Sequence, residues 1–387
     1  MIVYNRTWLA NLILIDTVKK DYDQGLIPDD EWAAIRLNYT HQFYSPNIFI
    51  RAGLFLLTIV ISAFSSALLT LFMADSGIVE NSGWILFLAI ANYIALEVIV
   101  QQKFHFRSGV DDALLWISGS LFTFAFVTIT NADQNYLALS AFIFLVSAFL
   151  SLRFTDALMA LVGYASILAV VFYSWQELGT LGTSTMPFII MLFSGVSYWI
   201  IRLNINNPKT HFYANSLDLL QIASLLSLYA AGNYFAVKEL GDMLNGSVSK
   251  SVPLGWFFWL WTMGLPFIYI FSGLKQKNVI LLRMGLILIG VAALTYKHYY
   301  KLMSLELTFI ICGTLAVALS YFLIRYLKQP KHGFTYKELS KVYLMDELKV
   351  ESLVISESFA ETGAPPAETG TALGGGRFGG GGAASGY

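Results

Sequence analysis

Charged residues and cysteine are scarce in this chain of 387 residues. Asp, Glu, Lys and Arg make up 13% of it, against roughly 25% in a soluble domain, which argues against a soluble globular fold. The formal net charge is −1 and no Lys/Arg-rich tract occurs, so nucleic-acid binding is not expected. The lone cysteine, Cys312, has no intrachain partner for a disulfide, and the redox compartment cannot be inferred from it.

The sequence motifs of common enzymes are also missing. There is no Walker loop, nucleophile elbow, His-Glu-x-x-His pair or dinucleotide fingerprint. The sequence therefore predicts no catalytic, cofactor-binding or metal-ligating site, and a non-enzymatic protein is favoured over an enzyme.

Long apolar segments dominate the chain instead, and 56% of its residues are hydrophobic. A hydrocarbon core about 30 Å thick requires about twenty apolar helical residues to cross it. We therefore predict an all-α integral membrane protein of about ten transmembrane helices, near residues 49–73, 83–101, 110–130, 135–152, 155–174, 183–203, 214–231, 252–273, 278–295 and 302–326.

Lys and Arg are distributed unequally between the two ends of these spans. One side carries eleven of them and the other carries only Lys238, Lys250, Lys297 and Lys301. By the positive-inside rule the richer side is cytoplasmic, which places both termini in the cytoplasm of a bacterial inner membrane. The richer side comprises Lys103, Arg107, Arg153, Arg202, Lys209, Lys275, Lys277, Arg283, Arg325, Lys328 and Lys331.

Three segments flank the predicted membrane domain, 49–326. Residues 1–48 are predicted to form a helical hairpin, because apolar residues recur at three- and four-residue intervals before and after Gly25 and Pro28. This hairpin is a cover for the membrane domain or a docking module for a protein partner. Arg6 followed by Trp8–Ile15 is similar to a signal peptide, but charged residues follow at once and no cleavage site is present, so we expect the segment to be retained.

The other two flanking segments follow the last span. Residues 327–357 are polar and could contain one short helix, and residues 358–387 are so rich in Gly and Ala that disorder is expected. Phe378 and Tyr387 are candidate contacts for a partner, and a merely flexible tail is the alternative.

The N-terminal hairpin carries a family resemblance. Gly25-Leu26-Ile27-Pro28-Asp29-Asp30-Glu31, then Ile35, then the first span at Arg51-Ala52-Gly53, resembles the opening of DUF2157-type bacterial membrane proteins. The resemblance covers about fifty residues and the hydropathy profile. It implies a short helical leader before many spans, and no established activity.

Ionisable residues in the predicted spans crowd their cytoplasmic ends. One interpretation is a polar vestibule in which Glu97, Asp218 and Arg283 pair and receive a substrate or a proton. The other is that long side chains extend to the interface while short acids at helix starts favour the helix dipole. Glu97 and Arg283 stand at helix ends that disfavour their charges, so we expect each to have an ionic partner on another helix, with each other as one option.

The eighth predicted span contains Gly264-Leu265-Pro266 at its middle. Proline kinks a helix, and interrupted helices line the substrate sites of transporters. Proline also occurs in spans that merely pack.

These patterns leave two functional hypotheses. The first is a non-enzymatic scaffold or sensor whose termini engage partners. The second is a small-solute or ion transporter that uses Glu97, Asp218, Arg283, Gly264 and Pro266. A lipid-modifying enzyme with chemistry near the interface has the least support. His298, beside Glu306 and several tyrosines, could transfer protons or bind a metal, but no second histidine or cysteine stands at ligand spacing, and interface anchoring is favoured.

Overall fold

The computed structural model of the protein describes residues 2–23, 25–132, 134–205, 207–245 and 252–300, together with scattered helical positions between 307 and 325. The continuous ranges form twelve α-helices, and within them the only strand-like pairing is an isolated bridge. The helices are α1 Arg6–Asp23, α2 Asp29–Asn38, α3 Ile48–Phe72, α4 Gly83–Lys103, α5 Val110–Thr130, α6 Tyr136–Phe154, α7 Ala157–Gln176, α8 Thr180–Asn204, α9 Ala214–Gly232, α10 Tyr234–Asn245, α11 Gly255–Gln276 and α12 Val279–Tyr299.

Eight helices, α3 to α8 with α11 and α12, are long and apolar enough to cross a membrane. Helix α9 qualifies only together with α10, to which it is joined at a bend of 67°. The prediction of an all-α multi-pass membrane protein is confirmed. Nine of the predicted spans coincide with helices, while the tenth, 302–326, falls mostly outside the described residues, and the predicted segments 327–357 and 358–387 fall wholly outside them.

Most consecutive membrane helices pack as antiparallel neighbours, as the short connections predict, and the exception is α3, which packs more extensively on α5 than on α4. The closest pairs are α4 with α5, α6 with α7, α8 with α9, and α11 with α12. Helix α9 contacts α7, α8, α10, α11 and α12, so it lies inside the second half of the membrane domain.

Hydrogen bonds between helices fix the direction of α9 relative to its neighbours. Asn233, which follows the last residue of α9, donates to Thr295 Oγ1 near the end of α12 at 3.1 Å. The Tyr269 hydroxyl of α11 donates to the Leu225 carbonyl of α9 at 3.0 Å. Helices α9 and α12 therefore end on the same side, and α11 runs between them in the opposite direction.

Asn and Asp side chains cap several membrane-helix starts. Asn47, Asn135, Asp156 and Asn278 accept hydrogen bonds from the first free N–H groups of α3, α6, α7 and α12. These groups have no intrahelical partner, and an anion near them is favoured by the helix dipole. The dipole interpretation is thus confirmed for Asp156.

Residues 2–44 form an N-terminal module that packs on the membrane domain. Leu9 and Leu12 of α1 are buried in one cluster with Tyr4, Phe43 and residues of α4 to α7. The second helix, α2, has no buried residue. Its Trp32 stacks on Tyr22 of α1, with ring centroids 5.5 Å apart.

The proline of α11 lies where that helix meets α12. Pro266 is almost fully buried, and a Cβ placed on Gly285 of α12 would lie only 2.9 Å from the Pro266 carbonyl oxygen. Gly264 has no neighbouring atom within 4 Å of such a Cβ. The Gly264-Pro266 element therefore includes a close helix–helix contact, which by itself accounts for a small residue at position 285.

We predict that Gly285→Ala destabilises the fold. The added methyl would collide with backbone atoms of α11, and overpacking of this kind costs about 1–3 kcal/mol, which exceeds the roughly 0.5–1 kcal/mol that alanine gains over glycine within a helix. The thermal unfolding midpoint in detergent, followed by tryptophan fluorescence, should fall.

Gly290→Ala in the same helix is the matched control. A Cβ at Gly290 meets no atom within 4 Å, so this variant should unfold at or above the wild-type temperature. Equal midpoints for the two variants would contradict the close α11–α12 contact.

Candidate functional site

The Glu97 carboxylate near the end of α4 accepts hydrogen bonds from four donor atoms. Arg153 at the end of α6 donates to it through Nε and through Nη2, the latter at 2.8 Å. Tyr93 and Gln101, one turn away on either side, donate to it at 2.5 and 2.7 Å. Glu97 thus has the expected ionic partner on another helix, and that partner is Arg153.

The observed ionic partner of Glu97 is thus Arg153 rather than Arg283, which is one of the expected options. Arg283 lies on α12 and Asp218 on α9, each the fifth residue of its helix. Since α9 and α12 contact each other and run in the same direction, these two residues lie at similar depths. Glu97 lies on α4, whose main contact is with α5, so in the predicted vestibule of Glu97, Asp218 and Arg283 it lies apart from the other two residues.

A second ionic group stands where α3 crosses the start of α5. Arg51 Nε lies 2.7 Å from Asp112 Oδ2, and the same oxygen accepts from the Gly109 N–H at 3.1 Å. Gly109 has φ +92°, and a Cβ there would lie 2.1 Å from the Arg51 carbonyl oxygen. Only glycine fits this crossing.

The loop before α5 is held by the neighbouring aspartate. Asp111 accepts hydrogen bonds from the N–H groups of Arg107 and Ser108 and from the Ser108 hydroxyl, each at 2.8 Å. Because the Ser108 proton goes to Asp111, the 2.7 Å contact between Ser108 and His105 has His105 Nδ1 as donor. Burial lowers the pKa of His105, although the Asp111 carboxylate acts in the opposite direction.

The N-terminal module is joined to this loop through its backbone. Tyr44 N donates to the Phe104 carbonyl at 3.0 Å, and Phe106 N donates to the Tyr44 carbonyl at 3.2 Å. The Val3 N–H donates to the Arg153 carbonyl at 3.0 Å. The buried Tyr4 ring meets Phe106 edge-on at 4.9 Å, and burial raises the pKa of its phenol well above the ordinary value.

We call this region the N-terminal junction, comprising residues 2–4, 43–44, 104–112 and 153–156. Asp111 and Asp112 are paired with Arg51 or with N–H and hydroxyl groups of the loop, and Gly109 allows α3 to approach this loop closely. Such saturation is typical of a rigid structural joint rather than of a site that exchanges ligands.

A different polar group lies within the membrane domain around α9. Tyr164 of α7 and Ser194 of α8 both hydrogen-bond to Ser227 of α9, at 2.7 and 2.9 Å. The Tyr269 side chain of α11 lies near Tyr164 and Tyr198. We call this group, drawn from four helices and composed of uncharged side chains, the α9 polar cluster: Tyr164, Ser194, Tyr198, Gln221, Ser224, Ser227 and Tyr269.

Gln221 differs from the other members of the α9 polar cluster. Its side chain is 0% exposed, and neither its Nε2 nor its Oε1 atom has a hydrogen-bond partner among the described residues. Tyr198 of α8 is close enough to interact with Gln221 as a hydrogen-bonding neighbour, although neither amide atom meets the geometry of a formed hydrogen bond. Buried polar groups are nearly always satisfied, so this one requires an explanation.

The sequence contains a signal for this cluster that a search for charges does not find. Within the span predicted at 214–231, Ser216, Gln221, Ser224 and Ser227 recur at three- to five-residue intervals on an otherwise apolar helix. Hydropathy averaging merges these residues into a span, although buried polar residues in a membrane are themselves candidates for function.

The far end of α9 is polar as well. Asn233 is buried, binds Tyr229 and Thr295 through its amide nitrogen, and accepts from the N–H groups of Phe235 and Ala236 at the start of α10. The break between α9 and α10 is therefore a capped helix start, which satisfies the backbone groups that the bend releases.

Neither metal-site geometry nor similarity to known proteins adds to these observations. Across the described residues, no three or more His, Cys, Asp or Glu side chains are placed to hold a metal ion. No protein-family model, curated protein or solved structure matches the chain. Functional inference therefore depends on the α9 polar cluster and the N-terminal junction themselves.

We predict that Glu97 and Arg153 are energetically coupled. Glu97→Gln and Arg153→Met should each lower the free energy of unfolding, because each removes one charge of a partly buried ion pair. The double variant should lose less than the sum of the single losses, by about 1 kcal/mol or more. Unfolding in mixed micelles would measure this cycle.

Lys103→Met is the control, since Lys103 is an exposed cation at the end of the same helix. It should change stability little, and its effect should add to that of Glu97→Gln. Strict additivity of Glu97→Gln and Arg153→Met would argue against the pairing.

Proposed function

We propose that this multi-pass membrane protein transports small solutes, with α9 as the helix that lines the solute path. The observation that supports this most strongly is the placement of the α9 polar cluster inside the bundle, with both amide atoms of Gln221 unpaired. Polar groups in a membrane interior are costly and mark solute paths more often than chance.

The polarity of α9 supports the same proposal. Helix α9 is too polar to count as a span alone and qualifies only together with α10, into which it bends by 67° at its far end. A span of this polarity gains from protein or solute contacts on several sides rather than from lipid. The proposed path thus follows α9 rather than the Gly264-Pro266 element, because Pro266 packs closely against Gly285 of α12.

We expect the buried face of α9 to become accessible to water during transport. In a Cys312→Ser background, Ser224→Cys places one thiol at a position that is 0% exposed. A membrane-impermeant, cationic methanethiosulfonate reagent should modify it in proteoliposomes, because alternating access opens the path to one aqueous side in turn.

Leu226→Cys, on the outer face of α9 and 48% exposed, is the matched control. A thiol facing lipid should resist the charged reagent, whereas Ser76→Cys in an exposed turn should react at once. If Ser224→Cys reacts no faster than Leu226→Cys, the bundle is closed and the transport proposal fails.

A scaffold or sensor is the second candidate, and α2 is the feature that favours it. The N-terminal junction fixes the module to the membrane domain, yet α2 buries none of its residues. Leu37 is 78% exposed, and Leu26 in the preceding turn is 67% exposed. Exposed apolar side chains of this kind suit a partner surface.

If the protein is a scaffold, we predict that a partner protein which cross-links to the wild-type chain in cells no longer cross-links to the Leu37→Asp variant. Glu31→Gln on the same exposed helix is the control and should retain it. A set of cross-linked proteins that is identical for wild type and Leu37→Asp would count against the scaffold.

The location of both termini in the cytoplasm of a bacterial inner membrane remains part of this proposal, supported by the Lys and Arg distribution. Membership of the DUF2157 type likewise remains a proposal, supported by residues 25–53.

A further inference from the structure

We propose that Gln221 is the recognition residue of a binding site for a small uncharged solute with a hydrogen-bond donor and an acceptor on adjacent atoms, as in a carboxamide. This inference rests on the proposed transport function and names its substrate class. It depends on the burial of Gln221, on its unpaired amide, and on the uncharged groups around it.

The first step concerns which atoms are unpaired. Gln221 leaves both a donor, Nε2, and an acceptor, Oε1, without partners, and its side chain is 0% exposed. An amide buried in this way is unfavourable unless something pairs with it. A cation would satisfy Oε1 alone and an anion Nε2 alone, whereas a carboxamide satisfies both through two parallel hydrogen bonds.

The second step concerns the neighbours that could pair with Gln221 and do not. The hydroxyls of Tyr164, Ser194 and Ser227 are bonded to one another. Ser224 donates to the backbone carbonyl of Gln221 at 2.9 Å and leaves the side chain untouched. The surrounding serine and Tyr164 hydroxyls already have hydrogen-bond partners, so the Gln221 amide remains available to bind a ligand. Tyr198 faces this amide from α8.

The third step concerns charge. The residues of the α9 polar cluster are all uncharged at neutral pH, so the cluster offers no counter-ion to a charged ligand. The nearest charge along α9 is Asp218, one turn earlier, and both Asp218 and Arg283 are engaged in contacts of their own. Arg202, one turn after Tyr198 on α8, acts on Tyr198 electrostatically but is not a member of the cluster. The groups of the cluster itself therefore favour an uncharged solute.

Thermal unfolding of the full chain in lipid nanodiscs tests this site, with acetamide as the probe. Millimolar acetamide should raise the unfolding temperature of the wild type, because a ligand that binds the folded state stabilises it. Gln221→Leu should weaken apparent acetamide binding at least about tenfold. Sodium chloride and potassium acetate, at the same concentration, should give no specific shift.

Gln221→Leu should also unfold at a higher temperature than the wild type when no solute is added. Leucine replaces a buried unpaired amide with an apolar group of similar size, which removes the desolvation cost. Gln176→Leu, at the exposed end of α7, is the matched control and should keep the acetamide response. Tyr198→Phe should weaken the response without abolishing it.

Several outcomes would overturn the proposal. An equal acetamide shift in Gln221→Leu would show that the solute acts elsewhere, and a sodium- or acetate-specific shift lost in this variant would show that the site binds ions. A lower unfolding temperature for ligand-free Gln221→Leu would show that the amide is already paired within the protein.

This test and the thiol test on α9 can fail separately. Acetamide binding at Gln221 without reagent access to Ser224→Cys would retain the site and remove transport. Reagent access without acetamide binding would retain a solute path and remove the proposed substrate class.

Discussion

The hydrocarbon core offers no water to polar groups, and every other feature of this fold depends on that constraint. Backbone groups can then be satisfied only within helices, and each helix end or polar side chain must find a partner inside the protein. The described membrane helices meet this requirement with asparagine and aspartate caps and with hydroxyls bonded to the preceding turn. Glu97, with four donors around its carboxylate, follows the same rule.

Under this constraint the two polar regions have different characters. The N-terminal junction is saturated, since its acids cap helices or pair with arginines and its loop is pinned to Tyr44 by two backbone bonds. The contacts of the junction hold the adjoining ends of α4 to α7 together. In the α9 polar cluster the hydroxyls of Tyr164, Ser194 and Ser227 are hydrogen-bonded, whereas the Gln221 amide is not, so the capacity to bind something new is concentrated at Gln221 and the facing Tyr198.

Much of this arrangement follows from sequence, and the exceptions have physical causes. Hydropathy predicts nine described helices to within a few residues, because each must cover a fixed thickness of hydrocarbon. The partner of Glu97 could not be predicted in the same way. Arg153 stands at a helix C-terminus, where the dipole favours a cation, so no local conflict marks it, and chain order does not reveal that the ends of α4 and α6 meet.

The α9 polar cluster escaped prediction for a related reason. Serine and glutamine lower the hydropathy of a span only slightly, and whether they face lipid, water or another helix depends on neighbours that are distant in sequence. Gly285 is similar, because its need for a hydrogen in place of a side chain arises from the Pro266 carbonyl of another helix.

The polarity of α9 also bears on how the protein is made. An insertion machinery that partitions segments by hydrophobicity would release α3 into lipid readily, since its most apolar stretch has a mean hydropathy of 2.3 and most of its side chains are exposed outside the protein. Helix α9 is apolar enough for a span only together with α10, so its insertion should be favoured by α7 and α8, which are synthesised first and contact it. Helices α11 and α12, which are synthesised later, contact it as well. Insertion of this part of the membrane domain is therefore expected to depend on helix–helix contacts as well as on the hydropathy of each helix.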